Sequence, residues 1–255
     1  HMNKIFSSTL GSIFAFLIAF SSVSYASDDW AVDEVLQQLS ELRRDYNALK
    51  KQVDQIDSAV ASMQSEGSPQ KGKTVKLEDD PKMGEGSAKV VVVEFTDYQC
   101  PFCSRHSRKT LPKLKSQYID SGKLLYVLKD YPLGFHAQAR QAAVAANCAG
   151  QQDQYWEMHD ELFAPGVRLD QNYYLSSAEK LDLNLERFGA CLTDPDQFKE
   201  VDADMAYGTS LGVQGTPAFF IGRLEQGRLV EGQFISGAQP FQNFASIIDK
   251  YINSN

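Results

Sequence analysis

Long apolar runs and cysteines are both scarce in this 255-residue chain, and each scarcity excludes something. The longest apolar stretch, LGSIFAFLIAF, runs about a dozen residues, whereas a membrane-spanning helix needs about 20. A retained membrane span is therefore not expected. A surplus of basic residues is missing too: with a net charge of -8 the chain offers no footprint for a nucleic-acid partner. Glycine and proline are absent throughout residues 29–65. No internal repeat or low-complexity tract appears. Only four cysteines occur, Cys100, Cys103, Cys148 and Cys191, and only the first two lie close together.

The short apolar run has another reading. Lys4 precedes it and SVSYAS follows, with small residues at Ser24 and Ala26. That is the layout of a secretory signal, with cleavage expected after about Ala26. His1-Met2 reads as a remnant of cloning, so residues 1–26 are remnant plus signal. No cysteine follows the cleavage site, which argues against a lipoprotein. Export implies an oxidising compartment, the periplasm, where cysteines are read first as disulfide partners.

The stretch free of glycine and proline carries a heptad pattern. Val32, Leu39, Tyr46, Val53 and Val60 share one position; Val35, Leu42, Leu49, Ile56 and Met63 fall three later. Five heptads in step predict a coiled coil over residues 27–66. In a parallel pair, Asp45 would face the partner's Lys50. The alternative is a long amphipathic helix folded onto its own chain. Heptad positions that mix Val, Leu, Ile and Tyr leave dimer and trimer both open. EGSPQKGK then breaks the pattern, giving a linker over 67–74.

Beyond the linker the signals alternate. KVVVVEF is a short run of the kind buried on both faces of a sheet. A helix follows, then a second strand in KLLYVLKDYPL, then a helical block over about 136–212. TPAFFI, the hairpin-like GRLEQGRLVEGQF and the amphipathic PFQNFASIIDKYI complete the order.

The chemistry concentrates at the end of the valine run, in CPFC. Pro101 stands where a helix begins, since a proline at the first helical position forfeits no hydrogen bond. Cys100 is then the cap residue, its sulfur facing free N–H groups and the positive end of the helix dipole. That position favours the thiolate, which is the reactive species. Each unit of lowering stabilises the anion by about 1.4 kcal/mol relative to the thiol. Cys103, one turn on, lies on the same face and within disulfide reach. An exposed, activated sulfur with a resolving thiol behind it makes a dithiol exchange catalyst.

Glu94 is the lone acid in the apolar strand. A carboxyl buried there is costly unless it has a partner or a function. It either accepts the proton of Cys103 or bridges to a lysine. A zinc clip lacks a second cysteine pair, so no structural metal and no cofactor are expected. Covalent haem is excluded because Ser104 stands where the motif needs histidine. Copper(I), which two thiolates can hold, stays open as the rival function. His106, His136 and His159 are read as surface or hydrogen-bonded helix residues.

Together EFTDYQCPFC, KDYPL, AANCAGQQDQYWEMHDELF and GTPAFF resemble the DsbA-type family of exported thiol-disulfide oxidoreductases. The resemblance spans roughly 75–252, within a domain taken as 75–255. It implies an α/β thioredoxin fold with an inserted helical domain and Cys100 as nucleophile. It also implies a cis-proline loop at Thr216-Pro217 that seats the substrate. Glu94 matches the family's buried acid, and Pro112 would kink the active-site helix. The family's partners are unfolded or misfolded exported proteins with cysteines and a DsbB- or DsbD-like membrane redox protein. Two features depart from the best-known members. The dipeptide is Pro101-Phe102, with no imidazole to assist the thiolate, so the Cys100 pKa is expected between about 3.5 and about 7. The N-terminal helix resembles the oligomerising stalks of disulfide isomerases and of the ScsC-like branch. Cys148 and Cys191, lone cysteines in the helical block, are expected to form a structural bridge, the alternative being a second redox pair.

Overall fold

The computed structural model describes residues 32–55 and 72–254, in two compact units. The signal segment, the rest of the heptad pattern and most of the linker lie outside the described residues. In the first unit, residues 32–55 are one helix, α1. Its heptad residues stay exposed: Val35, Leu39, Leu42, Tyr46 and Leu49 are each more than half accessible.

In the second unit the strands are β1 (Lys73–Lys76), β2 (Lys82–Met83), β3 (Val90–Thr96), β4 (Leu124–Asp130), β5 (Ala218–Glu225) and β6 (Arg228–Ser236). They form one sheet in the order β1-β6-β5-β3-β4-β2. The β3 and β4 strands are parallel, Glu94 lying opposite Leu128, and the other pairings are antiparallel. The turn from β5 to β6 is two residues long. Gln226 and Gly227 both take positive φ, the handedness that matches strand twist in a tight hairpin.

All seven residues of β3 are buried, because helices cover both faces of the sheet. Val90 and Val92 pack with Tyr126, Phe219 and the Phe244 and Ile248 side chains of the last helix, α9 (Phe241–Asn253). Val91, Val93 and Phe95 point the other way, towards Leu211 and Val213. Between β3 and β4 the chain crosses over through α2 (Pro101–Lys109), α3 (Leu111–Leu114) and a π-helical turn, Lys115–Ile119. The helix breaks at Thr110, just before Pro112, which can neither donate a hydrogen bond nor fit the preceding turn.

The helical insertion comprises α4 (Ala139–Gly150), α5 (Tyr155–Leu162), α6 (Gln171–Lys180), α7 (Leu185–Cys191) and α8 (Pro195–Ser210). Its core centres on the alanine-rich α4, apolar nearly all round and hence buried nearly all round. Small side chains let α8 approach closely: a Cβ on Gly208 would stand 2.8 Å from the rings of Phe95 and Tyr131. Cys148 of α4 and Cys191 of α7 are joined by a disulfide across 43 residues.

Two sequence expectations need amending. Strands β1 and β2 were not anticipated, and β1 occupies Lys73–Lys76, so the chain enters the sheet before the expected end of the linker. These short, polar strands owe their existence to the edges of β6 and β4 rather than to a hydrophobic pattern of their own.

Closing a 43-residue loop is worth about 4 kcal/mol in the chain-entropy description. The double variant Cys148→Ala/Cys191→Ala should therefore unfold at markedly lower urea, with disulfide exchange at Cys100 retained. Loss of exchange with unchanged stability would make the pair a redox relay instead.

Candidate active site

The site forms where β3 ends and α2 begins. Cys100 caps α2 in extended conformation, Pro101 takes the first helical position, and Ser104 N–H donates to the Cys100 carbonyl at 3.1 Å. Asp97 shapes the turn before the cap. Its Oδ1 accepts from the N–H groups of Gln99 (2.7 Å) and Cys100 (3.1 Å). Its Oδ2 accepts from Leu133 N–H and pairs with His136 Nδ1, both at 2.8 Å. The carboxyl is thereby filled on both oxygens while wholly buried, as a buried charge must be. Gln138 N–H donates to Gln99 Oε1 beside it. The loop that leads into the insertion is thus stitched to the active-site turn. Sequence reading passed over Asp97, although an Asp three residues before a cap and four before a proline is a recognisable turn signal.

Cys100 is 4% exposed, less than the freely exposed sulfur expected, while the neighbouring Phe102 stands 52% exposed under Arg105. The Cys100 thiol points at the Thr216 carbonyl, 3.4 Å away, in the loop where the Thr216-Pro217 bond is cis. Its pKa is lowered from 9.0 to about 5. The largest cause is a hydrogen bond from the Cys103 thiol. Burial opposes it, and the Cys103 and Phe102 N–H groups reinforce it, as does the nearby Thr216 hydroxyl, which completes no hydrogen bond in this geometry. The N-terminal N–H groups expected to favour the thiolate contribute, but they rank behind the second thiol. Cys103 itself is fully buried, and burial pushes its pKa well up.

Glu94 lies on the face of β3 that looks towards α2, and its partner is Tyr126, not a lysine. Tyr126 donates to Glu94 Oε2 at 2.5 Å. Burial raises the carboxyl from 4.5 to about 7 against the lowering effect of that bond. The Thr96 hydroxyl, two residues along on the same face, sits close to both Glu94 and the Cys103 thiol without completing a hydrogen bond to either.

His106 and His159 take the hydrogen-bonded alternative: both are fully buried, His106 Nε2 on the Tyr126 hydroxyl and His159 Nδ1 on Asp160, while His136 is partly exposed. Among the described residues no group of three or more His, Cys, Asp or Glu could hold a metal ion. A cleft of about 510 Å³ opens beside Cys100, walled by Tyr98 and Ser104 on one side and by Phe163, Val167 and Leu169 of the α5–α6 loop on the other.

This arrangement couples a stabilised thiolate to a buried thiol that is hard to ionise, with a carboxyl near neutrality behind it. The thioredoxin family profile matches residues 76–250. An Na(+)/H(+) antiporter NhaA 3 of Salinispora tropica is 36% identical over 146 residues, 56% of this chain, but the chain spans only 22% of that protein's length. A probable disulfide bond formation protein D of Bacillus anthracis is 31% identical over 150 residues, which are 54% of this chain and 68% of that protein. The crystal structure of Wolbachia pipientis α-DsbA1 superposes with a TM-score of 0.63 at 25% identity, covering 70% of this chain and 93% of that one.

Reduced Cys103→Ser protein keeps a hydroxyl donor to Cys100 and should show a thiolate absorbance midpoint near 5. Cys103→Ala loses the leading cause and should titrate about one to two units higher, the worth of a hydrogen bond to a charged group. A midpoint at or above 8 in the serine variant would remove Cys100 as an activated nucleophile.

Proposed function

Because the chain belongs to the thioredoxin family, in its DsbA-type branch, we propose that it forms and isomerises disulfide bonds in exported proteins. The observation that carries this is the split pair: Cys100 depressed to about 5 and Cys103 raised, side by side at one helix end. Such a pair gives the two sulfurs different jobs. In oxidation, a substrate thiolate attacks Cys100 of the Cys100–Cys103 disulfide. The S–S bond breaks and Cys103 leaves, taking its proton from Glu94. A second substrate thiolate then attacks the substrate sulfur of the mixed disulfide and expels Cys100. Two substrate thiols become one disulfide, and the two electrons reside on Cys100 and Cys103. Expulsion is easy because the leaving thiolate is the stabilised one. The Thr216-Pro217 loop lies against the sulfur and offers a backbone edge to the bound substrate.

Isomerisation uses the same parts in the reduced state. The Cys100 thiolate attacks a wrong disulfide, and another substrate thiol releases it, with no net electron transfer. A periplasmic setting, with a DsbB- or DsbD-like membrane protein resetting the pair, fits the signal-like N-terminus.

The stalk fits a second copy of this chain. A stripe of valine, leucine and tyrosine at heptad spacing on α1, each residue about half exposed or more, is an apolar seam that water penalises. Pairing two or three such helices buries it and brings two or three active sites to one substrate.

Light scattering should therefore give an oligomeric mass for the intact protein. Leu42→Glu/Leu49→Glu, which places charges in the seam, should give a monomer that still oxidises reduced peptides but loses most of its power to refold a scrambled multi-disulfide substrate. An oligomer that survives these charges removes the seam. A wild-type protein that binds one copper(I) tightly and neither oxidises nor reshuffles disulfides supports the copper-handling alternative.

A further inference from the structure

Glu94 is one end of a buried chain of polar groups whose other members, Tyr126 and His106, the exchange reading leaves unused. Tyr126 of β4 donates to Glu94 Oε2, and His106 Nε2 lies 3.0 Å from the same hydroxyl. His106 sits three residues after Cys103 on α2, so one helix face carries both the resolving thiol and the imidazole. The rings of Phe219 and Phe244, at 4.5 and 5.2 Å, fix its plane. A phenol has one proton to give. With that proton on Glu94, the contact to His106 requires Nε2–H to donate to the Tyr126 oxygen. The other ring nitrogen, Nδ1, is then a bare acceptor, and it is indeed buried with no partner. Burial holds the imidazole pKa down at about 3, so His106 is a neutral donor and not a second base.

We propose that Tyr126 and His106 are positioning residues whose hydrogen-bond chain keeps Glu94 able to take the proton of Cys103 as well as give one. The direction of the chain is the argument. His106 polarises the Tyr126 hydroxyl, and that hydroxyl stabilises the carboxylate form, which burial alone would forbid. When Cys103 resolves a mixed disulfide, its proton passes to Glu94. Its sulfur bonds to Cys100, and the substrate leaves as a thiolate. That step needs Glu94 unprotonated. The groups that bear on Glu94 are Thr96 on its own strand, Tyr126 on β4, Cys100 at the cap of α2, Cys103 on α2, and Phe219 opposite on β5. His159 on α5 acts on His106.

The inference rests on the exchange reading, so the first measurement needs no catalysis. The Glu94 carboxyl carbon shift, followed by pH in reduced wild type and Tyr126→Phe, should show the midpoint rising by about one to two units in the variant. In a mixed disulfide of Cys100 with 2-nitro-5-thiobenzoate, the pH profile for release of the chromophore should rise by the same amount. The Cys100 titration should stay in place. His106→Leu should move both readouts upward, and His106→Gln, which restores a donor, should bring them back. Should Tyr126→Phe fail to fold, the two His106 variants decide. Midpoints within about 0.3 units of wild type in the folded variants would overturn the inference, even with the exchange reading intact. A shift in the carboxyl midpoint with no disulfide exchange in any form would sink the exchange reading and leave the hydrogen-bond chain standing.

Discussion

A carboxyl group sealed from water in the middle of the central strand is the constraint to which the active-site half of the protein answers. Strand β3 is covered on both faces, so Glu94 has no route to solvent along its own strand. Its displacement from 4.5 to about 7 leaves a residual cost of about 3 kcal/mol for ionisation, after Tyr126 has donated. Without that donor the group would be a carboxylic acid across the physiological range. With it, the carboxyl stays poised beside a thiol that burial also pushes towards its neutral form. Because burial raises both groups, proton transfer from Cys103 to Glu94 is less uphill than it would be to a carboxyl at its ordinary value.

The same constraint governs Asp97, whose burial is met differently. It accepts three N–H groups and pairs with His136, so the charge serves structure, fixing residues 97–100 against residues 133–136. The turn that aims Cys100 and the loop that enters the helical insertion become one piece. This explains why the insertion's core, with Met158, Phe163 and Phe188, runs on continuously to Cys100 and Cys103. The cleft beside Cys100 has its far wall in the α5–α6 loop, so the insertion shapes the space in front of that sulfur.

What was legible in the sequence follows from which interactions are local. The helix start at Pro101, the thiolate-favouring cap at Cys100 and the doubly buried valine strand depend on near neighbours, and each stands where residue order places it. The Thr216-Pro217 loop came from family resemblance, and no local pattern would have placed it against Cys100, 116 residues away. The burial of His106 was not legible because its flanks, Ser104, Arg105, Ser107 and Arg108, are polar. The rings that bury it, Phe219 and Phe244, lie more than a hundred residues on. Tyr126 read as one more aromatic in a strand, since its hydroxyl acquires meaning only when β4 pairs beside β3. Strands β1 and β2 were invisible because their partners, not their own residues, make them strands.

Glu94 and Cys100 bend stability in opposite senses, and the balance depends on the redox state. An acid held above its unfolded value loses stability for the fold as pH rises between the two values, here from 4.5 to about 7. A thiol held below its unfolded value gives stability that is complete above 9.0 and lost as pH falls through about 5. In the reduced protein the two slopes cancel between about 5 and about 7, because one proton has left Cys100 while another has stayed on Glu94. Joining Cys100 to Cys103 removes the Cys100 slope and keeps that of Glu94, since the charge on Cys100 is the smallest of the causes acting on Glu94. From these two groups alone, the oxidised fold loses stability as pH rises through that window while their balance in the reduced fold stays level. The gap between them widens by up to about 1.4 kcal/mol per pH unit. On the exchange proposed above, the driving force for taking electrons from a substrate resides in the thiolate at Cys100, and Glu94 governs how readily the second sulfur follows.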